Sequence, residues 1–314
     1  MIKRMFLLWG GVLLAALSVP AQEDAQGRFA GYRSGFHLDT LALQVLLDRQ
    51  NLSCNCVDGM WGMRTEVALV TWQTLRGLPA TGIPDASVLE ALGGDTNVLT
   101  RYMVTTNDLA GLAPVPLAWE ERAKLPALTY ETVQEMLAEK GHTSQRALER
   151  LNPQAAWPNP PAGTEIVLPD CACAKPERAG SIRIALTRME ITVFNAEGKL
   201  VALFPCSIAR EKSKRPDGEV AVKTIAPNPN YTYDPQLFEP GGAKKTKLVI
   251  PPGPNNPVGL AWIGLSLQGY GMHGTPIPEH IGRAESKGCF RLANWNAVKL
   301  LGMVWPGVPV VIEE

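Results

Sequence analysis

The sequence predicts a multidomain α+β protein: a small helical bundle, then a βααβ module, then a mostly antiparallel β domain. Three observations carry that expectation. The chain has 314 residues, more than one hydrophobic core usually organises. Apolar spacing is helical in the first half, with Gly and Asn-Pro breakers, and gives way to short β-branched runs in the second. Between the two regimes lies "DCACAKPERAGSIR", a linker by its small residues, proline and mixed charge. The resulting boundaries are 1–21 for a signal peptide, 36–95 for the bundle, 100–170 for the βααβ module, 171–180 for the linker and 181–314 for the β domain.

The start, "MIKRMFLLWGGVLLAALSVPAQ", has Lys3 and Arg4, an apolar run from Met5 to Leu17, and small residues at Val19 and Ala21. That pattern is a secretory signal with cleavage before Gln22. The apolar run is shorter than the roughly 20 residues a spanning helix needs. The expectation is therefore an exported protein of the periplasm or cell wall, with no integral membrane segment after cleavage. Export makes disulfides the default reading of the cysteines. Cys54/Cys56 and Cys171/Cys173 form two Cys-x-Cys pairs able to clip the first domain to the linker, with connectivity open, while Cys206 and Cys289 stand alone. A four-thiolate zinc site would want wider knuckles, C-x₂₋₄-C, so no metal is expected.

Formal net charge is zero, but residues 22–170 hold 11 Lys/Arg against 18 Asp/Glu, and residues 180–314 hold 15 against 11. Neither excess forms a basic stripe with interleaved aromatics, which argues against a nucleic-acid partner. A carboxylate-bearing ligand near the C-terminal half remains compatible.

In the first domain, Leu41, Leu43, Val45, Leu46 and then Val67, Leu69, Val70, Trp72, Leu75 read as helix faces, and Pro84 opens a third helix. The leucine-rich first helix, "VDGMWGMRTEVAL", the pair Trp72-Gln73 and the "GLPATGIPD" turn resemble the peptidoglycan-binding helical domain of bacterial wall enzymes. In the second domain an extended "TRYMVT" precedes two helices, "YETVQEMLAEKG" stopped by Gly141 and "TSQRALERLNP" stopped by Asn152-Pro153, and a strand "TEIVLPD" follows. That order resembles a LysM module, which implies binding of wall glycan; the proline-rich insertion "GLAPVPLAWEERAKLPAL" departs from the compact form.

Beyond residue 180 the runs in "IRIALTRMEITVFNAEGKLVALFPCSIA" read as three strands, followed by strands in "EVAVKTIA", "GLAWIGLSL" and "VPVVIEE" and one helix around "NWNAVKLLG". The intervening "PNPNYTYDPQLFEPGGAKKTKLVIPPGPNNPVG" is a long irregular excursion of the kind that often forms a lid or binding loop.

Chemistry concentrates in "MHGTPIPEHIGRAESKGCFRLANW". Cys289 sits between Gly288 and Phe290, where glycine permits close backbone approach, and neighbouring N–H groups can stabilise an oxyanion. A nucleophilic thiol needs a base, and the four histidines are His37, His142, His273 and His280. His37 and His142 belong to the N-terminal modules and His280 to a Pro-flanked loop, which leaves His273, at a strand end sixteen residues before Cys289. Cys206, in the apolar run "LVALFPCSIA", reads as a core thiol.

"HGT", a loop, and "SKGCFRL", together with "RPDGEV" at Arg215 to Val220, resemble the L,D-transpeptidase catalytic family. The resemblance implies a two-step acyl transfer. Cys289 attacks the carbonyl of meso-diaminopimelate at the third position of a stem tetrapeptide, D-alanine leaves, and an amine resolves the thioester. It implies His273 as base, Gly274 orienting the imidazole through its carbonyl, Gly288 and Cys289 N–H groups as oxyanion donors with Ser286 in the same turn, and Arg291 as a substrate-carboxylate contact or a structural tie for the loop. Lys287 stands where the family usually has a second histidine, and its charge would favour the thiolate. The implied partners are peptidoglycan stem peptides and glycan, with an outer-membrane protein as one conceivable acyl acceptor. No cofactor is implied, since a thioester conserves the free energy of the cleaved amide. Water as acceptor would make the same site an L,D-carboxypeptidase or cross-link hydrolase, and a decayed site would leave a non-catalytic scaffold.

Overall fold

The computed structural model describes residues 35–93, 97–172, 175–237, 246–286 and 288–314. The signal segment, Cys173 and Lys287 lie outside the described residues. The first unit is three helices, α1 (Leu38–Arg49), α2 (Met63–Leu75) and α3 (Ala86–Ala91). Leu41, Val45, Leu69 and Trp72 fill its core. Two buried glutamines hold its turns. Gln44 accepts from the N–H groups of Asp58 and Gly59 and donates to the Met60 carbonyl. Gln73 accepts from Gly82 N–H and donates to Thr81 and Ile83. The cap of α3 is Asp85, one residue past Pro84, whose carboxylate accepts from Val88 N–H.

The second unit pairs β1 (Leu99–Met103) antiparallel with β2 (Glu165–Pro169) around α4 (Thr106–Ala110), α5 (Trp119–Arg122), α6 (Val133–Lys140) and α7 (Gln145–Leu151). Thr132 and Ser144 cap α6 and α7. Gly141 ends α6, but the left-handed residue of that turn is His142, with φ 51°. The expected linker is anchored: Cys171 and Ala179 are buried, and Ala179 N–H donates to the Met303 carbonyl.

The third unit is built from β3 (Ser181–Ala185), β4 (Glu190–Phe194), β5 (Leu200–Pro205), β6 (Ile208–Ala209), β7 (Gly218–Pro227), β8 (Tyr231–Tyr233), β9 (Leu248–Ile250), β10 (Ala261–Leu265), β11 (Gly271–His273), β12 (Ala284–Ser286), β13 (Phe290–Arg291), α8 (Asn294–Met303) and β14 (Pro309–Glu313). Its main sheet runs β13-β11-β10-β7-β14-β3-β4-β5. The pairings are antiparallel except β14 with β3 and β11 with β13. Ile182, Ile184, Ile191, Phe204, Val310 and Ile312 are fully or almost fully buried in its core, each contributing about 1.5–3 kcal/mol by burial. The hairpin β8–β9 stands apart from this sheet. No helix among the described residues is long and apolar enough to cross a membrane.

The units are joined by specific contacts. Ser53 N–H and Leu203 N–H exchange bonds with the Leu203 and Asn51 carbonyls, so the first unit extends along β5. The proline-rich insertion of the second unit packs on the β8–β9 hairpin, with Trp119 stacked on Tyr233 at 4.3 Å. Leu128 N–H donates to Pro252 and its carbonyl accepts from Asn255. Gly253, at φ +137°, is required there, because a Cβ would fall 2.2 Å from the Leu128 oxygen.

Candidate active site

Parallel pairing of β11 with β13 aligns Met272 with Phe290 and His273 with Arg291. Side chains alternate along a strand. Met272 and Phe290 enter the core, so His273 and Arg291 share the opposite face. Cys289 immediately precedes β13 and lies beside Gly271, whose N–H points at its sulfur. His273, Cys289 and Arg291 are thereby gathered at one sheet edge.

The histidine is held in one tautomer. His273 Nδ1 lies 2.7 Å from the Gly274 carbonyl oxygen, so Nδ1–H donates and Nε2 carries the lone pair. Trp262 of β10 stacks on the ring at 5.6 Å. Only 5% of the residue is exposed, and burial, joined by the Arg291 charge, drives its pKa down to about 4. The imidazole is neutral and basic at Nε2 in ordinary conditions.

The thiol is tuned less strongly. Burial pushes Cys289 above the ordinary thiol range, while the Gly271 N–H and the Arg291 charge pull it down. Its Sγ lies 3.6 Å from the Gly269 carbonyl. The resting pair is therefore a neutral thiol and a neutral imidazole. Arg291 acts on both partners, and its backbone is fixed by bonds in both directions with Ser207.

Two sequence expectations require correction. Gly288 N–H is not available as an oxyanion donor here, because it donates to Ser286 Oγ at 3.2 Å. Ser286 Oγ in turn donates to the Cys289 carbonyl at 2.6 Å, which makes it the staple of the nucleophile turn. Disulfides are the second. Cys54, Cys56 and Cys171 are buried free thiols, with Cys54 and Cys171 in the helical core and Cys56 against Ala293 and Trp295. Cys206 is wholly buried and its thiol is pushed up to about 12 by burial.

Sequence reasoning missed Trp262 and Tyr231. The Tyr231 hydroxyl, at the base of the β8–β9 hairpin, feels the charges of both Cys289 and Arg291. Beside the nucleophile lies a cavity of about 540 Å³ lined by Lys223, Thr224, Trp262, Ser266, Gln268 and Tyr270. For Tyr231 the one available signal was an aromatic residue in an excursion rich in Pro and Asn, whereas Trp262 lay unmarked in the predicted strand "GLAWIGLSL".

Asp48, His142 and Cys171 also bring metal-ligand atoms within 4.8 Å of one another. Lys299 Nζ already lies 2.8 Å from Asp48 Oδ2, however, so the cation of this cluster is supplied by the chain.

This fold and dyad define a class: a β-sheet domain that offers a thiol and a base at one edge. Residues 179–312 match the L,D-transpeptidase catalytic domain family (YkuD), and residues 38–92 match a peptidoglycan binding domain. The L,D-transpeptidase YkuD of Bacillus licheniformis is 28% identical over 179 residues, covering 57% of this chain and 92% of that protein. YkuD of Bacillus subtilis is 46% identical over 61 residues, covering 19% and 37%. The crystal structure of an L,D-transpeptidase from Xylanimonas cellulosilytica aligns over 90% of this chain and 96% of that one, at 15% identity and a TM-score of 0.37. The chain thus carries an L,D-transpeptidase catalytic domain behind an N-terminal peptidoglycan-binding domain.

Proposed function

We propose that the protein is an exported cysteine L,D-transpeptidase acting on peptidoglycan stem tetrapeptides. The observation that carries this reading is the Nδ1–H bond from His273 to Gly274, which leaves Nε2 unprotonated at the sheet edge where Cys289 precedes the strand paired with that of His273. His273 Nε2 takes the thiol proton as Cys289 Sγ attacks the diaminopimelate carbonyl. The proton then passes to the departing D-alanine amine, and a thioester remains. An incoming amine attacks that thioester, gives its proton to His273, and the proton returns to sulfur. The Gly271 N–H and the Arg291 guanidinium stabilise the thiolate in both steps. The acyl donor occupies the cavity between Lys223 and Tyr270, whose cationic wall suits a stem-peptide carboxylate.

The wall-binding unit raises the local concentration of polymer at the site. The βααβ unit serves as a second, LysM-like contact with glycan, and the signal segment delivers the protein to the periplasm or wall. The acceptor amine is a second stem peptide, giving a link between diaminopimelate residues.

Mass spectrometry of tetrapeptide muropeptides incubated with the mature protein, beside Cys289→Ala, tests the reading. Dimers that have lost one D-alanine, absent with the variant, are expected. Tripeptide alone would make it a carboxypeptidase, and no Cys289-dependent product would refute transpeptidation of free stems.

A further inference from the structure

We propose that Glu139, on α6 and outside the catalytic domain, is a positioning residue for His273 that acts through Asn294. The proposal rests on the reading of Cys289 and His273 as the reacting pair.

Asn294 opens α8 and is fully buried. Its Nδ2 donates to Glu139 Oε2 at 2.8 Å and to the Pro254 carbonyl at 3.2 Å. Its Oδ1 accepts from Leu260 N–H at 3.2 Å. That same oxygen is wedged between two glycines, since a Cβ on Gly259 or Gly274 would fall 1.9 or 2.2 Å from it. Gly274 is the residue whose carbonyl fixes His273 Nδ1, and its own N–H is tied to Ala261. A continuous path of contacts therefore runs from α6 to the imidazole.

Glu139 sets the direction of the Asn294 amide together with the Pro254 carbonyl and the Leu260 N–H. While ionised, its carboxylate only accepts, so it holds the amide nitrogen toward itself and the oxygen toward Leu260 N–H and the glycines. Reversed, the amide would set its NH₂ against the Leu260 N–H and crowd Gly274, moving the carbonyl that holds His273. Glu139 is itself held by the Tyr130 hydroxyl at 2.9 Å, with Glu135 one turn earlier on α6 tied to Asn255. Burial raises Glu139 to about 7, with the Glu135 charge adding to the rise against the bonds from Asn294 and Tyr130. The path between the two units thus carries a group that titrates near neutrality.

The test uses the mature full chain and reads two quantities: the rate of Cys289 alkylation by iodoacetamide across pH, and turnover of tetrapeptide. Alkylation needs no acceptor, so it reports the dyad even if transpeptidation fails. Glu139→Gln is expected to lower both alkylation and kcat about tenfold, as a misplaced catalytic group does, with KM unchanged because Glu139 does not line the cavity. It should also erase an inflection in the alkylation profile near neutrality. The exchange pair Glu139→Gln with Asn294→Asp keeps the bonds to Tyr130 and Leu260 and reverses the bond between positions 139 and 294, while it replaces the donor to the Pro254 carbonyl by an acceptor oxygen; it should recover the rate to within about threefold. The proposal is overturned if Glu139→Gln keeps the wild-type rate and profile, or if its loss follows thermal destabilisation and the exchange pair does not recover it. Reactive Cys289 with the Glu139-dependent profile but no cross-linked product would sustain this inference while sinking the transpeptidase reading.

Discussion

Two histidines in this chain stack on tryptophans, and they do opposite work. His273 stacks on Trp262 and gives its Nδ1–H to a neutral carbonyl. His142 stacks on Trp295 at 5.3 Å and points Nδ1 at the buried carboxylate of Asp48, 2.9 Å away. Each also has a cysteine nearby whose sulfur lies against a backbone carbonyl, Cys289 on Gly269 and Cys171 on Gly141. What separates them is charge. The carbonyl leaves His273 a neutral base with a free ring nitrogen, whereas Asp48 and Lys299 form a buried ion pair beside which His142 Nδ1 also contacts the Asp48 carboxylate, joining all three units. In this chain the carbonyl orients His273 without adding charge, whereas the carboxylate at His142 is already paired with Lys299.

The strongest way to break that comparison is to remove one base and one clamp. His273→Gln should reduce turnover about 10²- to 10⁴-fold, the usual contribution of a positioned base, measured by steady-state kinetics. It should also flatten an acid slope in stability. Burial holds folded His273 down at about 4, against 6.5 for an ordinary imidazole, so the unfolded chain binds the proton first and stability falls as pH drops through that window. The loss amounts to about 3 kcal/mol in the wild type and should vanish in the variant, as read by urea unfolding across pH.

Asp48→Asn should act on the other side of the comparison. Burial alone would raise the Asp48 carboxyl, but His142 and Lys299 outweigh it and hold it well below the usual range. Removing that charge takes the carboxylate away from Lys299, whose side chain is only 10% exposed, at a loss of about 3–5 kcal/mol. Calorimetry should register the loss while Cys289 alkylation at low temperature stays within about twofold. If alkylation collapsed with stability intact, the distinction between clamp and dyad would be wrong.

The smallest effect sharpens the nucleophile turn. Ser286→Ala removes the hydroxyl that joins Gly288 N–H to the Cys289 carbonyl, which should cost about 1–3 kcal/mol and less than about tenfold in kcat. A larger loss of kcat than of stability would mean that Ser286 touches the substrate.

Much of this was legible in the residues. The β-branched runs became β3, β4, β5, β7 and β14, and the helices expected to stop at Gly141 and Asn152-Pro153 became α6 and α7. His273 and Cys289 could be paired because their short flanking motifs carry local backbone demands. The Ser286 staple was hidden because a Ser-Lys-Gly-Cys turn does not say which N–H its hydroxyl will accept. Asp48 with Lys299 and Glu139 with Asn294 were hidden for a different reason. They lie 251 and 155 residues apart and meet only through the packing of separate units, which no local period encodes.

The most direct measurement is the intact mass of the mature protein after brief exposure to a stem tetrapeptide without acceptor, followed by peptide mapping. The account predicts an added tripeptide acyl group on Cys289, matched by released D-alanine and absent in Cys289→Ala. Release of D-alanine with no adduct on that cysteine, or an adduct on another, would contradict it.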